Sequence, residues 1–265
     1  MRRQELIECF ADTQWQSLHA WAEQTQAARA NTRLYPPGFR TAARAPKSSG
    51  RAIQVIQDTT LHCAQQHGRG RVAVLNFANA YHPGGGVTSG STAQEKCLCR
   101  SSNLYCALTA PDILERYYRY NKDHIDAIGT DAVVYTPGVW VFKTDDAPHE
   151  TLERPFKVDV LTCAAPDLRY APGGKREAAA RAFYGRIANI LEVANENDAD
   201  TLILGAFGCG AFGNDPEQVA EAFRALLIDR GYRDRFAYVI FAIKANDAVN
   251  SNLRAFQRAF ARDGL

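Results

Sequence analysis

The sequence predicts an α/β fold: a three-layer α/β/α sandwich with a mixed, largely parallel sheet, preceded by an N-terminal helical extension. Three observations carry this. Short runs such as Val72-Ala-Val-Leu-Asn76 and Thr201-Leu-Ile-Leu-Gly205 are continuously apolar, as in strands buried on both faces. Between them, residues 178–197 form a long helical pattern with Phe183, Ile187, Ile190, Leu191 and Ala194 on one stripe. Strands alternating with helices need crossover connections, and right-handed crossovers build a parallel sheet between helical layers.

The elements follow in order. Residues 4–27 carry apolar positions at Leu6, Ile7, Phe10, Trp15, Leu18, Trp21 and Ala22, a spacing that suits one or two amphipathic helices. Residues 31–51 are basic and loop-like, punctuated by Pro36-Pro37-Gly38. Residues 1–50 therefore read as an extension and linker, and 51–265 as one domain. Ile53-Gln54-Val55-Ile56 is a short strand. After the strand at Val72 comes a glycine-rich loop, then a helix beginning near Thr92. Val133-Val-Tyr135 and Val139-Trp-Val-Phe142 flank Thr136-Pro137-Gly138, which reads as a turn. Residues 156–162 form another strand, followed by the loop Ala164-Ala-Pro-Asp167. A second glycine-rich loop follows the strand at Thr201. Residues 216–230 form a helix with Pro216 in its first turn, 236–243 a last strand and 248–262 a closing helix. Nothing repeats internally.

Composition excludes several classes. With 31 basic and 29 acidic residues among 265, the formal net charge is +2, so no electrostatic groove for nucleic acid is expected. No apolar run approaches the twenty or so residues that span a bilayer, and Glu5, Glu8 and Asp12 interrupt any secretory core, so no membrane contact is expected. The seven cysteines, Cys9, Cys63, Cys97, Cys99, Cys106, Cys163 and Cys209, form no CxxC pair. They read as unpaired thiols in a reducing cytoplasm, and the histidines form no metal constellation. Neither metal nor cofactor is expected.

The chemistry concentrates in the two loops. Asn76-Phe-Ala-Asn-Ala-Tyr-His-Pro-Gly84-Gly85-Gly86 follows a buried strand, where three glycines make poor structure and suit a close approach of backbone to ligand. Gly205-Ala-Phe-Gly208-Cys209-Gly210-Ala211-Phe212-Gly213-Asn214-Asp-Pro216 again joins a buried strand to a helix, grouping free N–H donors with a helix N-terminus, a favourable place for phosphate. Both loops stand at the carboxyl ends of strands, where open α/β sheets bind ligands, so they can face each other across one crevice. Phe207 and Phe212 would add apolar faces for a base or sugar. His82 could line the crevice or remain solvated, Cys97 and Cys99 read as packing residues, and Asp215 as a helix cap. Neither loop matches the Walker A or GxGxxG pattern, which disfavours P-loop NTPases and Rossmann dehydrogenases.

Asn76-Phe-Ala-Asn79 running into Pro83-Gly84-Gly85-Gly86, then seven residues, then Gln94-Glu95, resembles the signature of the poly(ADP-ribose) glycohydrolases. Arg100-Ser-Ser-Asn-Leu-Tyr105, the second loop and the helical extension are similar to those of the microbial branch. The resemblance covers nearly the whole chain. It implies a macrodomain fold with ADP-ribose in the crevice, free or attached to protein or nucleic acid; a monomer is expected. It places Gly84, Gly85 and Gly86 beside the distal ribose and Asn79 on the ribose hydroxyls. Gly208, Cys209, Gly210, Ala211 and Phe212 would wrap the diphosphate, with Gln94 and Asn214 among the ligand contacts. The adenine pocket is not defined by motif.

One position departs from the family. Its catalytic motif is Gln-Glu-Glu, the second glutamate being the general acid, whereas this chain reads Gln94-Glu95-Lys96. Cleaving a ribose–ribose bond passes through an oxocarbenium-like state and needs a proton on the leaving oxygen. A lysine ammonium, with an ordinary pKa of about 10.4, donates poorly at neutral pH, and its charge opposes the developing cation. The expectation is a binding pocket whose ordinary turnover is impaired or altered. Two alternatives stay open: Lys96 acts as a Schiff-base nucleophile, or Glu95 retains weak acid function. Glu95 itself can border the ligand or simply complement the dipole of its helix.

Overall fold

The computed structural model describes residues 1–42, 45–47, 53–126, 128–169, 175–244 and 251–261. In chain order it contains α1 (Arg3–Leu18), α2 (Ala22–Asn31), β1 (Arg33–Tyr35), β2 (Gln54–Ile56), α3 (Thr60–His67), β3 (Val72–Phe77), α4 (Gln94–Ser101) and α5 (Leu104–Leu108). Next, α6 (Pro111–Ile113), a π-helical stretch (Leu114–Arg119) and α7 (Tyr120–Asp123) run on from one another. Then come β4 (Val133–Lys143), β5 (Thr151–Cys163), α8 (Arg176–Glu196), β6 (Thr201–Leu204), α9 (Pro216–Arg224), β7 (Tyr238–Ala242) and α10 (Ser251–Ala261).

The strands form one sheet in the order β1-β4-β5-β3-β6-β7-β2. The pairs β5–β3, β3–β6, β6–β7 and β7–β2 are parallel, while β4 runs antiparallel to both β1 and β5. Alternation along each strand divides the core into two layers. Ala73, Leu75, Leu202, Leu204 and Phe241 pack against Phe183 and Ile187 of α8, Phe223 of α9 and Phe256 of α10. Val74, Val160, Ile203 and Ile240 face the other way, onto Phe10 of α1, Leu61 of α3, Leu98 of α4 and Leu104 of α5. The three-layer α/β/α sandwich with a mixed, mostly parallel sheet is the one the sequence predicts.

Several local readings change. Thr136-Pro137-Gly138 is no turn: β4 continues through it with a bulge between the Thr136↔Val160 and Val139↔Val158 pairs. Pro137 has no N–H for a ladder, and Gly138, at φ +63°, turns its N–H to Asp159 Oδ1 at 2.8 Å. Arg33–Tyr35, within the stretch read as linker, pairs with β4 at the sheet edge. β5 starts at Thr151, five residues before the predicted strand. The helix read over 216–230 is α9 followed by a π-helical turn, Ala225–Asp229.

In α1 the buried face is Leu6, Phe10, Thr13 and Ser17. Trp15 and Leu18, read as apolar stripe, are exposed. The two hydroxyls tolerate burial because they donate to the Cys9 and Thr13 carbonyls one turn back. Linker positions 43, 44 and 48–52, and positions 248–250 and 262 of the closing helix, lie outside the described residues.

Candidate functional site

Five strands of this sheet, β2, β3, β5, β6 and β7, run parallel, so their carboxyl ends share one edge and the loops after them meet there. Between those loops lies a cleft of about 550 Å³. It gathers Asn79, Gln94 and Lys96 from the first glycine-rich region with Gly208, Gly210, Ala211 and Phe212 from the second. Gly84, Gly85, Gly86, Glu95, Cys209 and Asn214, expected at the ligand, are not among the residues that line it.

In the first loop, Asn79 folds the chain on itself. Its Oδ1 accepts the N–H groups of Tyr81 and His82, both at 2.8 Å, and its own N–H donates to Glu95 Oε2 at 3.0 Å. Gln94 works the same way from the helix side. Its Oε1 accepts the Phe77 N–H at 2.9 Å, and its Nε2 donates to the Leu75 carbonyl at 2.7 Å and Thr60 Oγ1 at 3.1 Å. Both ends of that amide are used to dock α4 on β3, although Gln94 also borders the cleft. His82 is exposed.

Glu95 is fully buried and Lys96 nearly so, at 0% and 15% side-chain exposure, with Lys96 Nζ 3.3 Å from Glu95 Oε2. Both lie on Gly85. A Cβ there would come within 2.5 Å of Lys96 Nζ and 3.0 Å of Glu95 Oε2, and the backbone sits at φ +53°. The left-handed backbone demands a glycine at the middle of the triplet, whereas the Lys96 end that a methyl would meet belongs to a flexible side chain that can move aside. Burial pushes the Glu95 carboxyl up to about 7, against the opposing pull of Lys96 and the Asn79 N–H. Its Oε1 is buried with no hydrogen-bond partner among the described residues. A carboxyl balanced near neutrality beside a cation can hold or release a proton at physiological pH.

The second loop presents backbone rather than side chains. The N–H groups of Phe207, Cys209, Gly213 and Asn214 bond within the loop, to the carbonyls of Gly205, Ala206, Gly210 and Gly208. Those of Gly208, Gly210, Ala211 and Phe212 meet no partner among the described residues, and all four residues border the cleft. Four such donors beside the N-terminus of α9 suit an anionic oxygen. Asp215 caps α9, its carboxylate accepting the Glu217 N–H at 2.9 Å.

Asn214 is buried, and its Nδ2 ties the loop together by donating to the Pro166 and Gly208 carbonyls at 2.8 and 3.0 Å. Cys209 packs on the core, and burial pushes its thiol up to about 12. Phe207 is fully buried against Phe77 and Phe183, so of the two loop aromatics only Phe212 keeps exposed surface.

Sequence reasoning missed the far end of the cleft, where Thr59, Asp145, Ile243 and Lys244 converge from the ends of β2, β4 and β7. Asp145 is buried and accepts Thr59 Oγ1 and the Leu61 N–H, both at 2.7 Å. Burial raises its carboxyl above the ordinary range. Lys244 is paired with Asp146 at 2.6 Å. Cys97, read as packing, borders the cleft, whereas Cys99 is buried. Among the described residues no group of three or more His, Cys, Asp or Glu side chains could hold a metal ion, and no helix is long and apolar enough to cross a membrane.

The family model for the microbial-type poly(ADP-ribose) glycohydrolase (PARG) catalytic domain matches residues 8–144. Among solved structures, poly(ADP-ribose) glycohydrolase from Thermomonospora curvata is 35% identical, with a TM-score of 0.88 over 97% of this chain and 100% of that one. The same enzyme bound to the inhibitor ADP-HPD matches at 35% identity and a TM-score of 0.85, over 97% and 100% of the two chains. The Deinococcus radiodurans glycohydrolase in complex with ADP-ribose is 33% identical, with a TM-score of 0.81 over 91% of this chain and 98% of that one. A search of curated proteins returned no match.

Proposed function

The chain belongs to the microbial-type poly(ADP-ribose) glycohydrolase family, and on that footing we propose that it binds ADP-ribose along the cleft while Lys96 impairs or alters ordinary glycohydrolase turnover. The observation that carries this reading is the Lys96–Glu95 pair on the face of Gly85. The four unpartnered N–H groups of the second loop supply diphosphate recognition that does not depend on position 96. The triplet and Asn79 would then border the distal ribose.

Hydrolysis meets two obstacles at Lys96. The leaving oxygen needs a proton, and the ribose develops positive charge as the bond breaks. An ammonium ion bound to Glu95 gives up its proton poorly and repels that charge. Losing general acid catalysis is worth about a hundredfold to ten-thousandfold in rate. In this reading residues 1–50 form the extension and 51–265 the ADP-ribose-binding macrodomain, with β1 lending an edge strand to its sheet. The reading takes ADP-ribosylated protein or nucleic acid as the substrate and the chain as a monomer, and the seven unpaired cysteines fit a reducing cytoplasm.

One feature favours a second reading. Lys96 borders the cleft, and its Nζ has a single, long contact, to Glu95, among the described residues. In neutral form its amine could attack the C1 aldehyde of a ring-opened ribose, forming an imine and releasing water.

Calorimetric titration with ADP-ribose, run beside release of ADP-ribose from poly(ADP-ribose), tests both readings. Binding without release, with release gained by about a hundredfold or more in Lys96→Glu, is the expected result. A covalent adduct trapped by borohydride, and lost in Lys96→Ala, would establish the lysine route instead. Failure of ADP-ribose to bind the native chain overturns both.

A further inference from the structure

Helix α1 grips the first glycine loop at three places. In its first turn, Arg3 Nε donates to the Ser89 carbonyl at 2.7 Å. Next to it Gly90, at φ +72°, lies so close that a Cβ would stand 2.5 Å from the Arg3 carbonyl oxygen. The second grip runs through Arg100 of α4, which is fully buried. Its Nε donates to the Leu6 carbonyl at 3.3 Å and its Nη2 to the Ser91 carbonyl, while its own carbonyl accepts the Thr13 hydroxyl. The third is apolar: Phe10 meets the edge of Tyr105 at 5.0 Å, and the Tyr105 ring closes on Gly84, 3.0 Å from where a Cβ would be.

The gripped segment, residues 84–91, has left-handed glycines at 84, 85 and 90 and is intrinsically free to adopt other shapes. No hydrogen bond among the described residues joins α1 to the second loop.

We propose that α1 is a brace that holds the glycine triplet in place, with Arg3 and Gly90 as positioning residues. The N-terminal extension thereby sets the distal-sugar end of the cleft and leaves the diphosphate end alone. This rests on the reading that the triplet borders the distal ribose. Releasing the brace gives segment 84–91 conformational freedom that a ligand touching it must then remove. A ligand that stops at the diphosphate would not meet that cost.

The experiment uses Arg3→Ala and Gly90→Ala in the full chain, titrated with ADP-ribose and with ADP, which lacks the distal ribose. Native protein should bind ADP-ribose more tightly than ADP. In both variants ADP-ribose should weaken by about fivefold, the scale of one modest hydrogen bond, while ADP stays within about twofold. Gln4→Ala, an exposed change on the same helix whose side chain bonds Glu8 alone among the described residues, should leave both ligands unchanged.

Hydrogen exchange reads the brace without ligand. Amides of 84–91 should exchange about tenfold faster in Arg3→Ala, and those of 205–215 at the native rate. Unchanged exchange in 84–91, or a parallel loss of both ligands, overturns the brace. Faster exchange there in Arg3→Ala, together with a native protein that does not distinguish ADP-ribose from ADP, supports the brace and overturns the ribose placement.

Discussion

Replacing Lys96 with methionine should destabilise the protein at alkaline pH and leave it almost untouched at acid pH. Unfolded, Glu95 titrates near the ordinary 4.5; folded, burial holds it near 7. A folded pKa above the unfolded one means the group costs nothing below 4.5, costs more as pH rises from there, and reaches its full cost above 7. Lys96, 3.3 Å away, offsets part of that cost by stabilising the carboxylate.

Two unit charges at 4 Å attract by about 4 kcal/mol at an effective dielectric of 20. Water reaches Lys96, and screening reduces its share to roughly 1–2 kcal/mol, about one pKa unit. Lys96→Met should therefore move the Glu95 midpoint upward from about 7 by about one unit. It should cost roughly 1–2 kcal/mol at pH 8.5 and close to nothing at pH 5. Urea denaturation at the two pH values, with carboxyl NMR following Glu95, reads both numbers. An equal loss at pH 5 and 8.5, a gain of stability at 8.5, or a midpoint that moves down would refute the reasoning.

The remaining predictions concern the second loop. Gly208→Ala puts a methyl about 2.5 Å from the Ala165 Cβ on a backbone at φ +76°. It should cost roughly 1–3 kcal/mol in denaturation and weaken ADP-ribose by about tenfold for each backbone donor displaced. Asn214→Ala removes the bond that ties this loop to Pro166 and the one that closes it on Gly208; a loss of about 2 kcal/mol and weaker ADP-ribose binding should follow, and full native affinity would show that the loop keeps its shape unaided. Asp215→Ala should lower stability by about 1 kcal/mol through the lost cap, measured by thermal melting, with the Gly210 and Ala211 donors still in place.

The fold was legible because its central strands are buried on both faces, and such strands announce themselves as unbroken apolar runs. What escaped was local or distributed. The bulge at Pro137-Gly138 carries the residues of a turn, and only the continuing ladder distinguishes the two. Helices α3, α5, α6 and α7 are too short to show a stripe. In the site, a polar residue beside a glycine loop looks the same in sequence whether it meets a ligand or pins the chain. Gln94 and Asn214 spend their amides on backbone, and no spacing rule reveals that. Thr59, Asp145 and Lys244 are far apart in sequence and converge only through the strand order β6-β7-β2 and the end of β4. The contest between Lys96 and Glu95 was visible as a motif departure, but the role of Gly85 in seating the pair was not.

The four donors of the second loop have one more consequence. They belong to the main chain, and every residue except proline supplies the same N–H. On the proposal that these donors hold the diphosphate, no side-chain change at 210 or 211 short of proline removes a donor, and affinity falls only when the loop bends. On that proposal affinity and reactivity are inherited separately. A lineage can exchange the residue at position 96 and keep its ligand, so a reader and a hydrolase can share one scaffold and differ by a single side chain.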